Sequence, residues 1–150
     1  MKKSVFLSLT VCMVVMLGIV QFAGASIDEA KAMVEKAAAF YNDNGKEKAL
    51  QAFNDPKGAF VDGSIYIFAY DAKGTIIAHP INAKLVGMNT LNVPDVDGKL
   101  WRQEAVNKAN SAGWAIVDYK FKNPTTNKVE EKTSYFKKVG DIILGCGTYK

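Results

Sequence analysis

The apolar residues change spacing near the middle of this chain, and that change limits the fold more than any other feature. Before Pro56 they repeat at helical intervals, and beyond Gly58 alternating segments prevail, with one further helical stretch among them. Ser26-Ile27-Asp28-Glu29 reads as a capping box, with Ser26 at the N-cap and Glu29 at N3. Ile27, Ala30, Val34, Ala37, Ala38 and Tyr41 then share one face of a helix, which Asn42-Asp43-Asn44-Gly45 stops. Asn44 is placed to cap a second, short helix with Glu47 at its N3 and Ala49, Leu50 and Phe53 inward. Asn54-Asp55-Pro56-Lys57-Gly58 ends the helical run.

From Ser64 to Tyr70 the residues sort by parity, Ile65, Ile67 and Ala69 on one face and Tyr66, Phe68 and Tyr70 on the other. Asp71-Ala72-Lys73-Gly74 is a turn, and Thr75 to His79 is the returning strand, closed by Pro80. Residues 81–98 read as a loop, and Lys99 to Ser111 as a helix ended by Gly113, with Leu100, Ala105, Val106 and Ala109 apolar. Trp114–Phe121, Val129–Lys138 and Ile142–Thr148 are three further strands joined by short, turn-rich links. Hairpin-length connections make the sheet antiparallel. The expected class is α+β with one sheet of about five strands.

The fold begins after an export signal. Lys2 and Lys3 precede an almost wholly apolar run from Val5 to Val20, and Ala23-Gly24-Ala25 has the form of a cleavage site. The competing reading is an uncleaved anchor formed by residues 5–25. Either way Lys2 and Lys3 stay inside, and residues 26–150 are expected outside the cytoplasm as one domain. Removing residues 1–25 lowers the formal charge from +4 to +2 and leaves Cys146 without a disulfide partner. A charge of +2 with scattered lysines gives no case for nucleic acid.

Several chemistries are excluded or disfavoured by residue type. A lone His79 and two cysteines cannot build a four-ligand zinc site, and no C-x-x-C-H offers covalent haem attachment. Aligned to a calcium loop, Asp95, Asp97, Gly98 and Glu104 take the required positions, but Val93 stands where the first carboxylate belongs. A turn leading into the next helix is the simpler reading. No general acid–base pair is visible, so neither catalysis, a cofactor nor a metal is expected.

The face bearing Tyr66, Phe68 and Tyr70, with Trp114 and Tyr135 on neighbouring strands, suits a pocket for a small amphipathic ligand, or simply a core. His79 is open to two readings, donor to a ligand carboxylate or partner of loop backbone. Lys137 shares a strand face with Thr133 and Tyr135 and is either aimed into that pocket or solvated. Arg102, the only arginine, sits on a helix where a surface place is the default.

A family pattern runs through these segments. Tyr66-Ile67-Phe68-Ala69-Tyr70-Asp71-Ala72-Lys73-Gly74, Ala78-His79-Pro80 and Leu85-Val86-Gly87-Met88-Asn89 come first. Asp95-Val96-Asp97-Gly98-Lys99, Gly113-Trp114-Ala115-Ile116-Val117-Asp118-Tyr119, Asn123-Pro124, Ser134-Tyr135-Phe136-Lys137-Lys138-Val139 and Gly145-Cys146-Gly147-Thr148-Tyr149 follow. In that order, from Ser26 to Tyr149, the chain resembles a single Cache domain. The resemblance implies a PAS-like antiparallel sheet, a long N-terminal helix packed on one face and a ligand pocket on the other. It also implies an extracytoplasmic sensor of small molecules, several relatives binding carboxylates. On that basis Lys137 is expected to pair a short carboxylate, with Tyr66, Tyr135 and His79 orienting it and Phe68 and Trp114 as walls. Because the sequence ends at Lys150, the expectation is a stand-alone periplasmic binder with no output domain, whose ligand state a membrane sensor or transporter reads. The alternative is an interaction module docking on such a partner with no ligand of its own.

Overall fold

The computed structural model describes residues 26–150; the export signal read from the sequence lies outside the described residues. Helix α1 (Ile27–Asn44) opens on the expected capping box, with Ser26 Oγ accepting from the Glu29 amide and the Glu29 carboxylate accepting from the Ser26 amide. Helix α2 (Lys46–Phe53) is capped by Gly45, not by Asn44. Gly45 adopts a φ of 78°, which turns the chain between two helices too close for a side-chain cap. Asn44 stays in α1, its side-chain amide donating to the Phe40 carbonyl at 3.0 Å.

The strands are β1 (Val61–Asp62), β2 (Ile65–Tyr66), β3 (Phe68–Asp71), β4 (Ile76–Ala78), β5 (Trp114–Lys122), β6 (Val129–Val139) and β7 (Ile142–Tyr149), with α3 (Trp101–Ala112) between β4 and β5. Five of them form one antiparallel sheet in the order β4-β3-β7-β6-β5, while β1 and β2 pair separately. Helix α1 crosses β6 and β7 on one face, and α3 covers β5 on the other, which gives two cores. The first core holds Val34, Phe53, Phe60, Ile67 and Leu144, with Phe53 and Phe60 edge to face at 4.8 Å. Each such ring contributes roughly 1.5–3 kcal/mol by burial. No helix among the described residues is long and apolar enough to cross a membrane.

The alternation read at Ser64–Tyr70 holds. Ile65, Ile67 and Ala69 face the α1 core, and Tyr66, Phe68 and Tyr70 face α3. The central strand β7 explains its own glycines, because aromatic and lysine side chains lie flat across it. A Cβ on Gly147 would meet the Thr133 carbonyl at 2.7 Å and the Lys132 stem at 2.8 Å. Gly147→Ala is therefore expected to cost about 1–3 kcal/mol by overpacking. Urea unfolding should show the midpoint falling at unchanged slope.

Candidate functional site

Between the sheet and α3 lies a chamber lined by Tyr66, Phe68, Tyr70, His79, Trp101, Arg102, Tyr119 and Phe121, among others. Its aromatic rings pack on one another, Trp101 stacking on Tyr119 at 3.6 Å and Phe68 meeting Phe136 edge to face at 5.7 Å. The free volume inside is about 10 Å³, room for one water. Outside it, an open cleft of about 280 Å³ shares Tyr66, His79 and Phe121 with the chamber and adds Asn82, Lys122 and Asn127. The chamber thus has a mouth between the loop after β4 and the β5–β6 turn.

The central charged group is Lys132, in the middle of β6 and 1% exposed. Its Nζ donates to the Tyr66 hydroxyl at 3.2 Å, with the Tyr149 hydroxyl at 3.4 Å. It lies 4.3 Å from the Tyr66 ring centre, 4.6 Å from that of Tyr149 and 5.6 Å from that of Phe68. The carboxylate ion pairs among the described residues do not include it. Burial pulls its pKa down to about 7. Burial has the opposite effect on the neighbouring acids, raising Tyr66 far above its ordinary value and pushing Tyr149 and the Cys146 thiol up to about 12. An ammonium among ring faces and hydroxyl groups, with no carboxylate partner among the described residues, has the chemistry to pair with an anion.

Of the two readings made of His79, the structure shows the loop-backbone one. Its Nδ1 accepts from the Asn82 amide at 3.0 Å, which leaves the proton on Nε2. Its ring stacks near Phe68 at 6.2 Å and lies 5.3 Å from Tyr66, so it lines both chamber and mouth. Sequence parity groups it with Ile77, but β4 ends at Ala78, and Ile77 packs toward the α1 core instead. Burial, and then the Lys132 charge, lower its pKa to about 4. The unfolded chain therefore binds this proton between about pH 6.5 and 4 while the folded protein does not, so stability falls as pH drops through that window. Urea melts should show that slope in the wild type and its loss in His79→Gln.

Of the other residues expected at the site, Tyr66 and Phe68 are in the chamber and three are not. Trp114, Tyr135 and Lys137 lie on the opposite, α1 face. The β5–β6 register pairs Trp114 with Lys137 and Ile116 with Tyr135, whereas Phe136 and Lys132 occupy the chamber face. Trp114 is 53% exposed, and Lys137 forms an ion pair with Glu35 of α1. Two chamber residues, Trp101 and Arg102, were not foreseen, nor was Lys132, which lies beside the chamber against the Tyr66 and Phe68 rings. Helix α3 turns Trp101, Arg102, Ala105, Val106 and Ala109 inward, while Leu100 precedes it and is exposed. The spacing i, i+4, i+8 from Trp101 through Ala105 to Ala109 was the available signal for that face. The loop before α3 is a turn, in which Asp95 accepts from the Asp97, Lys99 and Lys120 amides at 2.9–3.0 Å.

The family profile described as Single Cache domain 2 matches residues 19–150. MctS, a sensor histidine kinase of Rhizobium johnstonii, is 31% identical over 86 residues, which make up 56% of this chain but only 18% of that protein. A methyl-accepting chemotaxis protein from Vibrio parahaemolyticus superposes with a TM-score of 0.70 at 22% identity, over 81% of this chain and 86% of that one. A Cache chemosensory domain whose structure was described as the basis for carboxylic acid recognition superposes at 0.63 with 24% identity, over 82% and 87%. These two likenesses establish the PAS-like fold, and the profile establishes the family. The chain belongs to the single Cache domains, the sensor modules of chemotaxis and signal transduction.

Proposed function

We propose that this chain is an exported, periplasmic Cache domain that binds a short carboxylate in the aromatic chamber. The observation that carries this reading is the Lys132 ammonium, fully buried, ringed by aromatic faces and without a carboxylate partner among the described residues. One carboxylate oxygen would take a charge-assisted hydrogen bond from Nζ, with Tyr66, Tyr149 and His79 Nε2 orienting the other. Phe68 and Phe121 would exclude water and so strengthen that bond. Residues 1–25 would direct export, as a cleaved signal or an anchor. The carboxylic acid recognition described for one structural neighbour supports the same ligand class. The role is recognition, with no catalytic residue assigned. A membrane sensor or transporter would read the occupied state.

Thermal scanning of the purified protein with acetate, propionate, pyruvate and lactate tests this reading. An acid at about 100 times its dissociation constant should add roughly 2.7 kcal/mol of stability. No shift with any of these acids would sink the proposal. It would favour a second reading, an interaction module docking on a membrane partner, to which the nearly filled chamber of about 10 Å³ also points. Failure to recover a sensor or transporter from an envelope extract would count against that second reading.

A further inference from the structure

Strand β5 is an outer strand of the five-stranded sheet, and part of its free edge is unguarded. Its bonds to β6 identify the backbone groups that point outward. The Gly113 carbonyl accepts from the Lys138 amide, and the Asn123 amide donates to the Lys128 carbonyl, both at 2.8 Å. These residues flank a register that runs unbroken from Trp114↔Lys137 to Lys122↔Val129, so the odd-numbered residues of β5 bond to β6. Trp114, Ile116, Asp118 and Lys120 therefore turn their amides and carbonyls away from it. The loop before α3 covers the second half of this edge. Lys99 Nζ donates to the Asp118 carbonyl at 2.6 Å, and the Lys120 amide donates to the Asp95 carboxylate at 3.0 Å. In the first half, the amides and carbonyls of Trp114 and Ile116 have no hydrogen-bond partner among the described residues.

Nothing in the side chains discourages pairing there. Free edges are usually blunted by lysine, proline or a bulge, and Trp114-Ala115-Ile116-Val117 has none of these. Helix α1 packs on β6 and β7, and on that face of β5 the Trp114 and Ile116 side chains stay 53% and 39% exposed. The approach is clear, since Ser111, Ala112 and Gly113 beside the edge are small and exposed.

Two donors and two acceptors on residues i and i+2 are complementary to themselves. We propose that β5 pairs, antiparallel, with β5 of a second copy of this chain, about a two-fold axis at Ala115. Trp114 exchanges both hydrogen bonds with Ile116 of the second copy, and Ile116 does so with its Trp114, which satisfies every open group of the half-edge. Each indole then lies against a β-branched side chain, a favourable cross-strand pair. An axis at Ile116 would set each indole opposite Asp118 and draw on the carbonyl that Lys99 already holds. A second copy fits better than a flexible peptide. So short an edge gives few bonds to offset the ordering of a free strand, whereas another folded edge arrives already ordered. Residues 26–150 carry a formal charge of only +2, so two copies repel each other little. A contact of this size makes a weak dimer.

Sedimentation velocity of the exported protein from micromolar to millimolar concentration, with amide hydrogen exchange at low and high concentration, is the test. The expected result is a concentration-dependent dimer in which exchange slows at the Trp114 and Ile116 amides and not at the Asp118 amide. Ile116→Pro removes an outward donor at an edge position that tolerates proline, and Trp114→Lys puts a charge on the edge. Each should raise the dimer dissociation constant at least about tenfold, and melting curves verify that the variants fold. A protein that stays monomeric throughout would overturn the proposal. So would a dimer that survives both substitutions, or one that leaves exchange at Trp114 and Ile116 unchanged. Slowed exchange at Asp118 would place the axis at Ile116 and overturn the pairing described.

Discussion

Replacing Lys132 with methionine is expected to stabilise the ligand-free protein and to abolish acid binding. Lys132 is buried without a counter-ion among the described residues, and methionine fills a similar volume with no charge to desolvate. Removing buried charges in favour of apolar residues often raises stability by about 1–4 kcal/mol, which for a domain of this size means several degrees in Tm. Loss of the ammonium removes the partner of a buried carboxylate and should weaken binding by about 2–5 kcal/mol, thirtyfold or more. A purely structural lysine gives the opposite stability result: its removal would leave the Tyr66 and Tyr149 hydroxyl groups without a donor and lower Tm. Thermal melts with and without acid separate the two cases in one experiment.

The second large effect is on pH dependence. The groups facing the Lys132 Nζ are Tyr66 of β2, Cys146 and Tyr149 of β7, and His79 after β4. The two phenols and the thiol are held protonated by burial, and His79, lowered to about 4, is neutral. Lys132 alone titrates near neutrality, at about 7. A carboxylate binds the charged form and restores its proton, so affinity should fall about tenfold per pH unit above 7, reaching roughly 100-fold by pH 9. Stability of the ligand-free protein should move the other way. Between about pH 7 and 10.5 the unfolded lysine holds a proton that the folded one has lost, so stability rises with pH across that window. Titrations at pH 8 in buffers of different ionisation enthalpy should show nearly one proton taken up per acid bound. Constant affinity from pH 6 to 9 would mean that Lys132 is not the carboxylate's partner.

The architecture was legible because its signals are local. The Ser26 capping box, the inward face of α1 and the alternation from Ile65 to Tyr70 each depend on neighbours in sequence, and each appears as read. The turn at Asp71–Gly74 likewise follows from Asp71, whose carboxylate accepts from the Lys73 and Thr75 amides at 2.9 and 2.8 Å. The phase of β6 was not legible, and that phase decides the site. Both of its parities carry one aromatic residue and at least one lysine, Tyr135 with Lys137 and Phe136 with Lys132. A one-residue change of phase exchanges the two faces of a strand. What sets the phase is long-range: Gly145 and Gly147 of β7 leave space for Phe68, Phe136 and the Lys132 stem, and Glu35 of α1 takes Lys137. Arg102 was unreadable for a related reason. A charged residue on a helix is ordinarily solvated, and it is the stack of Tyr119, Trp101 and Arg102 together with the hydrogen bond from Arg102 to the Val93 carbonyl that makes its burial tolerable.

Aromatic packing closes the chamber to about 10 Å³, so on the proposed reading an acid would displace rings and enter through the cleft beside His79. Phe121 is the ring positioned to move, being only partly buried and shared by chamber and cleft. Occupancy would then be coupled to the β5–β6 hairpin, whose strands also carry Tyr119, Lys132 and Ser134. Ligand binding would be felt along the sheet through that hairpin, since Tyr119 and Ser134 share a buried hydrogen bond of 2.9 Å across it.

The most direct measurement is a crystal structure of the protein with the acid that stabilises it most. A carboxylate oxygen within hydrogen-bond reach of Lys132 Nζ, about 2.7–2.9 Å, with His79 and Tyr66 around it, is the predicted result. An acid bound on the α1 face beside Lys137, Tyr135 and Trp114, or a chamber that stays closed at saturating acid, would contradict it.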